Sequence, residues 1–336
     1  MTGIRRYWFA VHPDIRRPIG GVKQIHRLAE SLVDIGREAF LIQDQADFHP
    51  GWFRSKVPTI SRSDWSSLSD LNPAVDTLIL PETFLPFIHS YHHCLPKIIF
   101  NQNAAYSFGA GANSKWFSAS ETIRIYNSPS VLHVICVSRH DYTLLTEGFG
   151  LPTSKVSLIV NGLEESIFVP TYQKKRQIAY MPRKNSADSQ AVIALLNNQS
   201  WFQDWSLLPI ENCSQSQVAQ ILQESLLFLS FGHPEGFGLP VAEALSCGCG
   251  LIGYSGLGGR ELFSIAKQFQ VGKEIGLGDW LGFVNATQLY IRAFNDRPDW
   301  LIRALKQCSS SVLSVYTQDA MRSSVNSAFL AIESRI

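Results

Sequence analysis

Two glutamates on either side of a glycine-rich turn are the residues of this chain best suited to chemistry. Glu235 and Glu243 stand eight positions apart in FGHPEGFGLPVAEALSCGCG, directly after the apolar run LLFLSF. The run predicts a buried strand, and Pro240 suits the first turn of a following helix, where a missing N–H costs nothing. Glycines let a ligand approach the backbone closely, and the unpaired amides of a helix N-terminus attract anions. The pattern therefore predicts an anion site between two carboxylates.

A nucleotide sugar has the chemistry that such a site would bind. Glu243, about one turn into the predicted helix, can accept hydrogen bonds from both hydroxyls of a ribose, as acids do in dinucleotide folds. Glu235 stands on the other side of the turn, where a second sugar would lie. An ordinary helix start with surface glutamates is the alternative interpretation of EGFG taken alone. The amides predicted to hold the phosphates belong to Gly236, Phe237, Gly238 and Leu239.

The elements that must position these residues are short apolar runs that alternate with helical patterns. YWFAV, EAFLI, DTLIL, KIIFN, HVICVS and VSLIV are continuously apolar, which favours a parallel sheet covered on both faces. The polar stretch Thr171–Gln177 is interpreted as a linker, after which IAYM, WSLLPI, LLFLSF and GLIGY form a second series. We therefore predict two doubly wound α/β domains, which bind ligands at the carboxyl edge of their strands. The first is predicted to cover 1–170 with a terminal helix at about 315–336, and the second 171–314.

Composition excludes several classes of protein. The chain has 336 residues, 45% of them hydrophobic, and a formal net charge of +1, so a nucleic-acid partner is not expected. Its six cysteines are scattered without a C-x-x-C pair, which favours reduced thiols over disulfides or zinc. No apolar run approaches the ~18 residues of a membrane span. We expect a cytoplasmic protein, and peripheral association with the inner face of the membrane stays open.

Two weaker patterns each have a structural alternative. GWFRSKVPTISRSDW mixes aromatic and basic residues, which fits either a membrane or polysaccharide surface or the packing of a long loop. His89, His92 and His93 are interpreted as part of a surface segment, so no metal site is predicted.

The glutamate stretch resembles the signature of a known family. PEGFGLPVAEALSCG is similar to the E-x7-E motif of glycosyltransferase family 4, the group 1 retaining glycosyltransferases. GLGGREL at 256–262 and GGV at 20–22 resemble two further loops of that family, and the resemblance extends from about Tyr7 to Leu262. It implies the GT-B fold: two Rossmann-like doubly wound parallel-sheet domains facing across a cleft, with a C-terminal helix that crosses back to the first domain.

The resemblance also implies roles for the donor site. Glu235 would contact the transferred sugar and Glu243 the ribose, while Gly236 to Leu239 would line the sugar and phosphates. Gly20 and Gly21 would close over the diphosphate from the other domain.

This chain departs from the family pattern at two places. In YMPRKNSADSQ the family's basic pair is matched by Arg183 and Lys184, which are adjacent because the loop that separates the pair in relatives is missing. The resemblance implies that both act with Glu235 as catalytic residues on the donor, Arg183 by binding the diphosphate. Where many relatives carry a histidine, IIFNQNAAYSF has Gln102 and Asn103. These two residues, with the pair that follows HVICV, are the candidate contacts to acceptor or sugar: Gln102, Asn103, Ser138 and Arg139.

The implied activity is retaining transfer of a sugar from a nucleoside-diphosphate-sugar donor to an unidentified glycan, lipid or small-molecule acceptor. No metal or other cofactor is expected, since no D-x-D ligand set occurs. A non-catalytic GT-B protein that binds sugar nucleotides or glycans, and a GT-B sugar-nucleotide epimerase, are the alternatives.

Overall fold

The computed structural model describes residues 5–11, 14–89, 94–109 and 117–335. Within it the chain divides into two compact units, Met1–Gly162 with Asp319–Ile336, and Leu163–Gln318. We call them the N-terminal and C-terminal units.

The N-terminal unit is built on a sheet of seven parallel strands. In chain order these are β1 (Arg6–Ala10), β2 (Glu38–Gln43), β3 (Thr59–Ser61), β4 (Asp76–Pro81), β5 (Lys97–Asn101), β6 (Val131–Cys136) and β7 (Val156–Leu158). Their order across the sheet is β3-β2-β1-β4-β5-β6-β7. The central strands are buried along their whole length, which explains their unbroken apolar sequence.

The described helices of this unit follow the strands on both sides. They are α1 (Gly20–Asp34), α2 (Arg62–Ser66), α3 (Ala119–Asn127) and α4 (Arg139–Thr143), with 3-10 turns at Glu82–Phe87, Ala104–Phe108 and Thr153–Lys155 and a π turn at Leu144–Gly148. Helix α1 buries Val22, Ile25 and Leu28 against the sheet. It ends at Asp34, and Gly36, whose φ of 82° suits a glycine, follows its C-cap.

The C-terminal unit repeats this plan with five parallel strands in the order β12-β11-β10-β8-β9. The strands are β8 (Lys175–Tyr180), β9 (Ser206–Pro209), β10 (Ser225–Ser230), β11 (Gly250–Gly253) and β12 (Gly272–Glu274). The helices are α5 (Ser186–Asn197), α6 (Gln215–Glu224), α7 (Leu239–Ser246), α8 (Arg260–Gln268), α9 (Trp280–Asp296) and α10 (Pro298–Val315), with a 3-10 turn at Ser200–Phe202. Ser214 caps α6 through a capping box with Gln217.

The polar stretch at 171–177 is not a linker, which corrects the sequence interpretation. Lys175 opens β8, and the side chain of Lys174 is folded into the C-terminal unit. The Lys174 Nζ donates to the carbonyl of Gln223 at 2.9 Å and to that of Cys247 at 2.8 Å. These carbonyls end α6 and α7, where a cation is favoured. Apolar periodicity does not detect a lysine used in this way.

The last helix, α11 (Gln318–Glu333), packs on the N-terminal unit, as predicted. Its Glu333 accepts hydrogen bonds from the Tyr7 hydroxyl and from Arg37 Nε, each at 2.7 Å. The ring of Phe329 meets that of Tyr7 edge-on at 4.9 Å. Among the helices that the structure describes, none is long and apolar enough to cross a membrane.

Candidate functional site

Three loops at the carboxyl edge of the C-terminal sheet are bonded to one another. They follow the neighbouring strands β8, β10 and β11. The Asn185 side chain, after β8, donates to the carbonyls of Phe231 at 2.7 Å and His233 at 3.1 Å. The Glu235 N–H donates to the carbonyl of Gly256, after β11, at 2.8 Å. The segment that carries Glu235 is therefore fixed from both sides.

Glycines allow this close approach around Glu235. A Cβ on Gly256 would lie 2.6 Å from the Glu235 Cβ, and the φ of Gly256 is +63°. A Cβ on Gly232 would lie 2.5 Å from the Glu235 Oε1. Real Cβ contacts do not come so near, so only glycine fits at these positions. The start of the glycine-rich loop at 256–262 is therefore packed on the glutamate stretch.

Four consecutive backbone amides precede and begin α7. Gly238 is the N-cap, with φ 86° and ψ 56°, and its carbonyl takes the N–H groups of Val241 and Ala242. Before these two residues, Pro240 has no N–H, and Gly236 to Leu239 each have one. None of these four N–H groups has an acceptor within the described chain. Buried N–H groups are rarely unpaired in proteins, and the helix dipole adds positive potential here. We call Gly236, Phe237, Gly238 and Leu239 the anion-binding turn, after the anion site that the sequence predicts there, and the binding of an anion stays a prediction.

The side chain of Phe237 anchors this turn. It is 4% exposed, and its ring packs against that of Tyr316 with 5.1 Å between centroids. A buried anchor on one side of the turn leaves the amides fixed in direction, as a preorganised anion site requires.

Lys184 forms an ion pair with Glu235. Its Nζ is 2.9 Å from the Glu235 Oε2 and donates to the carbonyl of Pro234 at 3.0 Å. Both side chains are about one-fifth exposed, at 20% and 21%, so the pair is partly shielded from water. The cation predicted to act on the donor thus neutralises a carboxylate of the same site.

Arg183 differs from its neighbour. It is exposed, and the structure gives its guanidinium no hydrogen bond or ion pair with any described residue. Adjacent side chains point in different directions, so Arg183 and Lys184 do not contact the same group. Contact of the Arg183 guanidinium with the donor stays a prediction.

Glu243 sits on the helix that the anion-binding turn begins. It is 7% exposed and lies about one turn into α7. The amides and this carboxylate therefore share one rigid element, and their spacing does not depend on a flexible loop.

The predicted residues of the N-terminal unit meet at the carboxyl edge of its own sheet. Gly20 and Gly21 begin α1. A Cβ on Gly21 would lie 3.3 Å from the Gln102 Oε1 and 3.6 Å from its Nε2. The side-chain amide of Gln102 therefore lies over the first turn of α1.

Three other predicted contacts have the following places. Asn103 is 5% exposed, and its Oδ1 accepts the N–H of Ala105 at 3.1 Å. Ser138 is fully buried, and its hydroxyl oxygen accepts the N–H of Asp141 at 3.2 Å. Arg139 is exposed. Asn103 and Ser138 act as caps, and a sugar contact from any of the three stays a prediction.

Sequence reasoning missed two acids in this edge, Glu82 and Asp141. They are 2% and 1% exposed, and burial raises the pKa of the first to about 8 and of the second to about 7. Glu82 directly follows the buried strand β4, and Asp141 lies in α4, the first helix after β6. An acid just beyond an apolar strand is the sequence signal that could have identified them.

The weaker patterns of the sequence fall as follows. Phe53 is buried and meets His26 edge-on at 5.0 Å, and Trp65 is 3% exposed, so these aromatic residues serve loop packing. Association with a membrane stays a prediction. His92 and His93 lie outside the described residues, and the described part of the chain holds no cluster of three metal-ligating side chains.

Comparison with known sequences gives one partial match. No family model matches the chain. Over 97 residues it is 32% identical to an alpha-1,6-glucosyltransferase of Actinobacillus pleuropneumoniae serotype 7 (strain AP76). The match covers 26% of this chain and 29% of that protein, so it spans less than a third of the relative's length.

Solved structures match along nearly the whole chain. Sucrose-phosphate synthase from Thermosynechococcus elongatus has a TM-score of 0.69 at 11% identity, covering 99% of this chain and 100% of the other. HepE from Anabaena, solved with UDP-glucose, has a TM-score of 0.70 at 12% identity, covering 97% and 99%. The catalytic domain of starch synthase IV from Arabidopsis thaliana, bound to ADP and acarbose, has a TM-score of 0.65 at 13% identity, covering 99% and 100%. With the two parallel sheets, these matches confirm the predicted GT-B fold class.

Proposed function

We propose that this protein is a glycosyltransferase that takes a sugar from a nucleoside diphosphate and passes it to an acceptor hydroxyl with retention of configuration. The observation that carries the proposal is the anion-binding turn, with a carboxylate on each side and an exposed arginine nearby. This combination matches the three parts of a nucleotide sugar: ribose, diphosphate and transferred sugar.

The charge of the donor supports this assignment. A diphosphate needs several N–H donors, which the four amides and the guanidinium of Arg183 can supply. The α7 dipole adds positive potential. Glu243 would accept the ribose hydroxyls from the same helix. Glu235 would accept hydroxyls of the transferred sugar, with Lys184 holding its carboxylate in place.

The relatives are consistent with such a donor. HepE was solved with UDP-glucose and the starch synthase with ADP, and the partial sequence match is to a glucosyltransferase. We therefore extend the proposal to a hexose donor and to the retaining family 4 that the glutamate motif resembles.

The proposed reaction exchanges one C–O bond for another. The bond between the anomeric carbon and the phosphate oxygen breaks, and the acceptor oxygen forms a bond to that carbon on the same face. The acceptor proton passes to an oxygen of the departing phosphate. Arg183 and the four amides stabilise the negative charge that develops on the diphosphate, which is the main catalytic contribution of such a site.

Donor hydrolysis tests the proposal without a known acceptor. The purified protein is incubated with UDP-, GDP-, ADP- and TDP-glucose, and the released sugar is followed by proton NMR from the first minutes. The proposal predicts slow release from one donor and, since these donors are α-linked, α-glucose as the first anomer. Release of β-glucose first would contradict retention.

The alternatives give different products. Nucleotide binding without any release, also when candidate glycan and lipid acceptors are added, would support a non-catalytic binding protein. Conversion of the donor into its epimer would support an epimerase. Neither outcome is expected, because both sides of the anion-binding turn carry a carboxylate suited to hold a sugar.

A further inference from the structure

Two buried acids lie beneath the segment 102–104 of the N-terminal unit. Glu82 follows β4, the segment follows β5, and Asp141 stands in α4 after β6. These strands are neighbours in the order β4-β5-β6, so their carboxyl ends bring the acids to either side of the segment.

Each acid accepts a backbone N–H of the segment. The Glu82 Oε2 accepts the N–H of Gln102 at 2.9 Å, and the Asp141 Oδ2 accepts the N–H of Ala104 at 3.1 Å. Between these amides, Asn103 caps the next turn through its own side chain. The backbone on both sides of Asn103 is therefore clamped to buried groups.

The acids have no cation among the described residues to offset their burial. Neither takes part in an ion pair there. The charged or titratable groups that face Glu82 are Asp141 and Tyr126, whose hydroxyl bonds to Ser107 at 2.7 Å. Burying two acids side by side is costly, and the cost raises the pKa of both.

Asp76, at the opposite end of β4, shows how a buried acid is stabilised structurally. It is fully buried, but Arg6 Nε lies 2.7 Å from its Oδ1 and Trp8 donates to the same oxygen at 2.8 Å. One strand thus has a charge-paired acid at its amino end and an acid bonded only to backbone amides at its carboxyl end. Acids of the second kind, at a ligand-binding edge, are candidates for function.

We infer that Glu82 and Asp141 are positioning residues, which hold segment 102–104 so that the side-chain amide of Gln102, over the first turn of α1, meets hydroxyls of the substrate. An amide can both donate to and accept from a sugar hydroxyl. The inference rests on the proposed function and concerns residues that do not touch the substrate themselves.

Kinetics of matched variants test the inference. Glu82→Leu removes the acceptor, so donor hydrolysis should slow by roughly 10- to 100-fold, the cost of a small misplacement, with nucleotide affinity unchanged. Glu82→Gln should keep turnover within about threefold of the wild type, because its amide oxygen still accepts the N–H. Asp76→Asn is the control: it should lower the unfolding temperature but not the turnover of folded protein. Equal turnover in Glu82→Leu and wild type, or an equal loss in Asp76→Asn, would overturn the inference.

A second readout does not need activity. The amide proton shifts of Gln102 and Ala104 are followed by NMR between pH 6 and 9. The inference predicts that Gln102 titrates with a midpoint near that of Glu82, about 8, and that the titration disappears in Glu82→Gln. A Gln102 signal that titrates identically in Glu82→Gln, or that has the same shift in Glu82→Leu as in the wild type, would overturn the inference.

The two proposals can fail separately. A wild-type protein that neither binds nor hydrolyses any nucleotide sugar refutes the proposed function, while the amide titration still decides whether the acids hold the segment. Normal hydrolysis with no effect of Glu82→Leu refutes the positioning role alone.

Discussion

The carboxyl edges of the two sheets differ in how their backbone N–H groups are satisfied. At the N-terminal edge, side chains satisfy the backbone: Glu82 and Asp141 take two amides, and Asn103 caps a turn. At the C-terminal edge, glycines bring the backbone forward and the amides of 236–239 have no acceptor in the described chain. At the first edge, side-chain oxygens thus accept backbone N–H groups. At the second, four N–H groups stay free of acceptors in the described chain and can donate to an anion.

This difference separates two kinds of recognition. Unpaired N–H groups and an exposed guanidinium suit the diphosphate, whose charge dominates binding. A clamped amide side chain suits hydroxyl groups, for which direction matters more than charge. Under the proposed function, changes at the C-terminal edge should therefore affect donor affinity, turnover or both, and changes at the N-terminal edge should affect turnover alone.

The largest effect is expected from a side chain placed where glycine is required. Gly256→Ala puts a Cβ 2.6 Å from the Glu235 Cβ at a φ of +63°, and the Glu235 loop must move. We expect a loss of stability of roughly 2–4 kcal/mol and loss of nucleotide binding by calorimetry. Gly276→Ala in the same unit is the control, since nothing lies within 4 Å of its Cβ. Normal binding in Gly256→Ala would mean that the glycine packing does not shape the site.

Removing a charge tests whether the C-terminal edge acts on the diphosphate. Arg183→Ala should lower donor hydrolysis by roughly 10²–10³-fold, the usual cost of one donor to developing charge. Glu235→Ala should abolish turnover, while nucleotide binding survives. Arg176→Ala is the matched control for Arg183, because this exposed arginine lies on β8 in the same unit and pairs with Asp204. Equal effects of the two arginine variants would contradict the role of Arg183.

The ribose assignment is tested by pairing a variant with an altered ligand. Glu243→Ala should weaken binding of the nucleoside diphosphate by roughly 1–3 kcal/mol. A 2′-deoxy or 3′-deoxy diphosphate should lose affinity for the wild type and lose little more for the variant. If the losses simply add, Glu243 does not hold the ribose.

The smallest expected effect is on the pH dependence of stability. It concerns the N-terminal edge, which holds the buried acids Glu82 and Asp141. Because burial raises the pKa of Glu82 to about 8 and of Asp141 to about 7, the folded protein keeps protons that the unfolded chain releases near pH 4. The free energy of unfolding therefore falls as the pH rises from about 4 to 8. His26 and His133, with their pKa lowered by burial to about 3 and 4, act oppositely and cost stability only below about pH 6.5.

Of these four groups, only the two acids contribute to the slope between about pH 6.5 and 8. Glu82→Gln should remove a slope of up to about 1.4 kcal/mol per pH unit, seen as a flatter unfolding temperature in that window. An unchanged slope would mean that Glu82 is already ionised at neutral pH.

The sequence predicted most of the fold because parallel strands buried on both faces are continuously apolar. It missed β3 and β12, whose three residues include exposed or polar ones: TIS and GKE. The polar stretch at 171–177 was misread because Lys174 caps helix ends from within the unit.

The candidate site was predicted where a local motif defines it. The glycines and Pro240 of the glutamate stretch fold as a strand-to-helix turn, as their order suggests. The contact of Lys184 with Glu235, and the clamp by Glu82 and Asp141, join residues far apart in sequence. Such pairings follow from strand order, which a single sequence does not reveal.

The most direct test of the account is to observe the four amides of the anion-binding turn while a nucleotide binds. Nitrogen-15-labelled protein is titrated with UDP, GDP, ADP and TDP, and the amide signals of Gly236, Phe237, Gly238 and Leu239 are followed. The account predicts that one diphosphate shifts all four downfield, as new hydrogen bonds to phosphate do, and that Arg183→Ala weakens the effect. Binding that leaves these four signals in place, or no binding of any diphosphate at millimolar concentration, would contradict it.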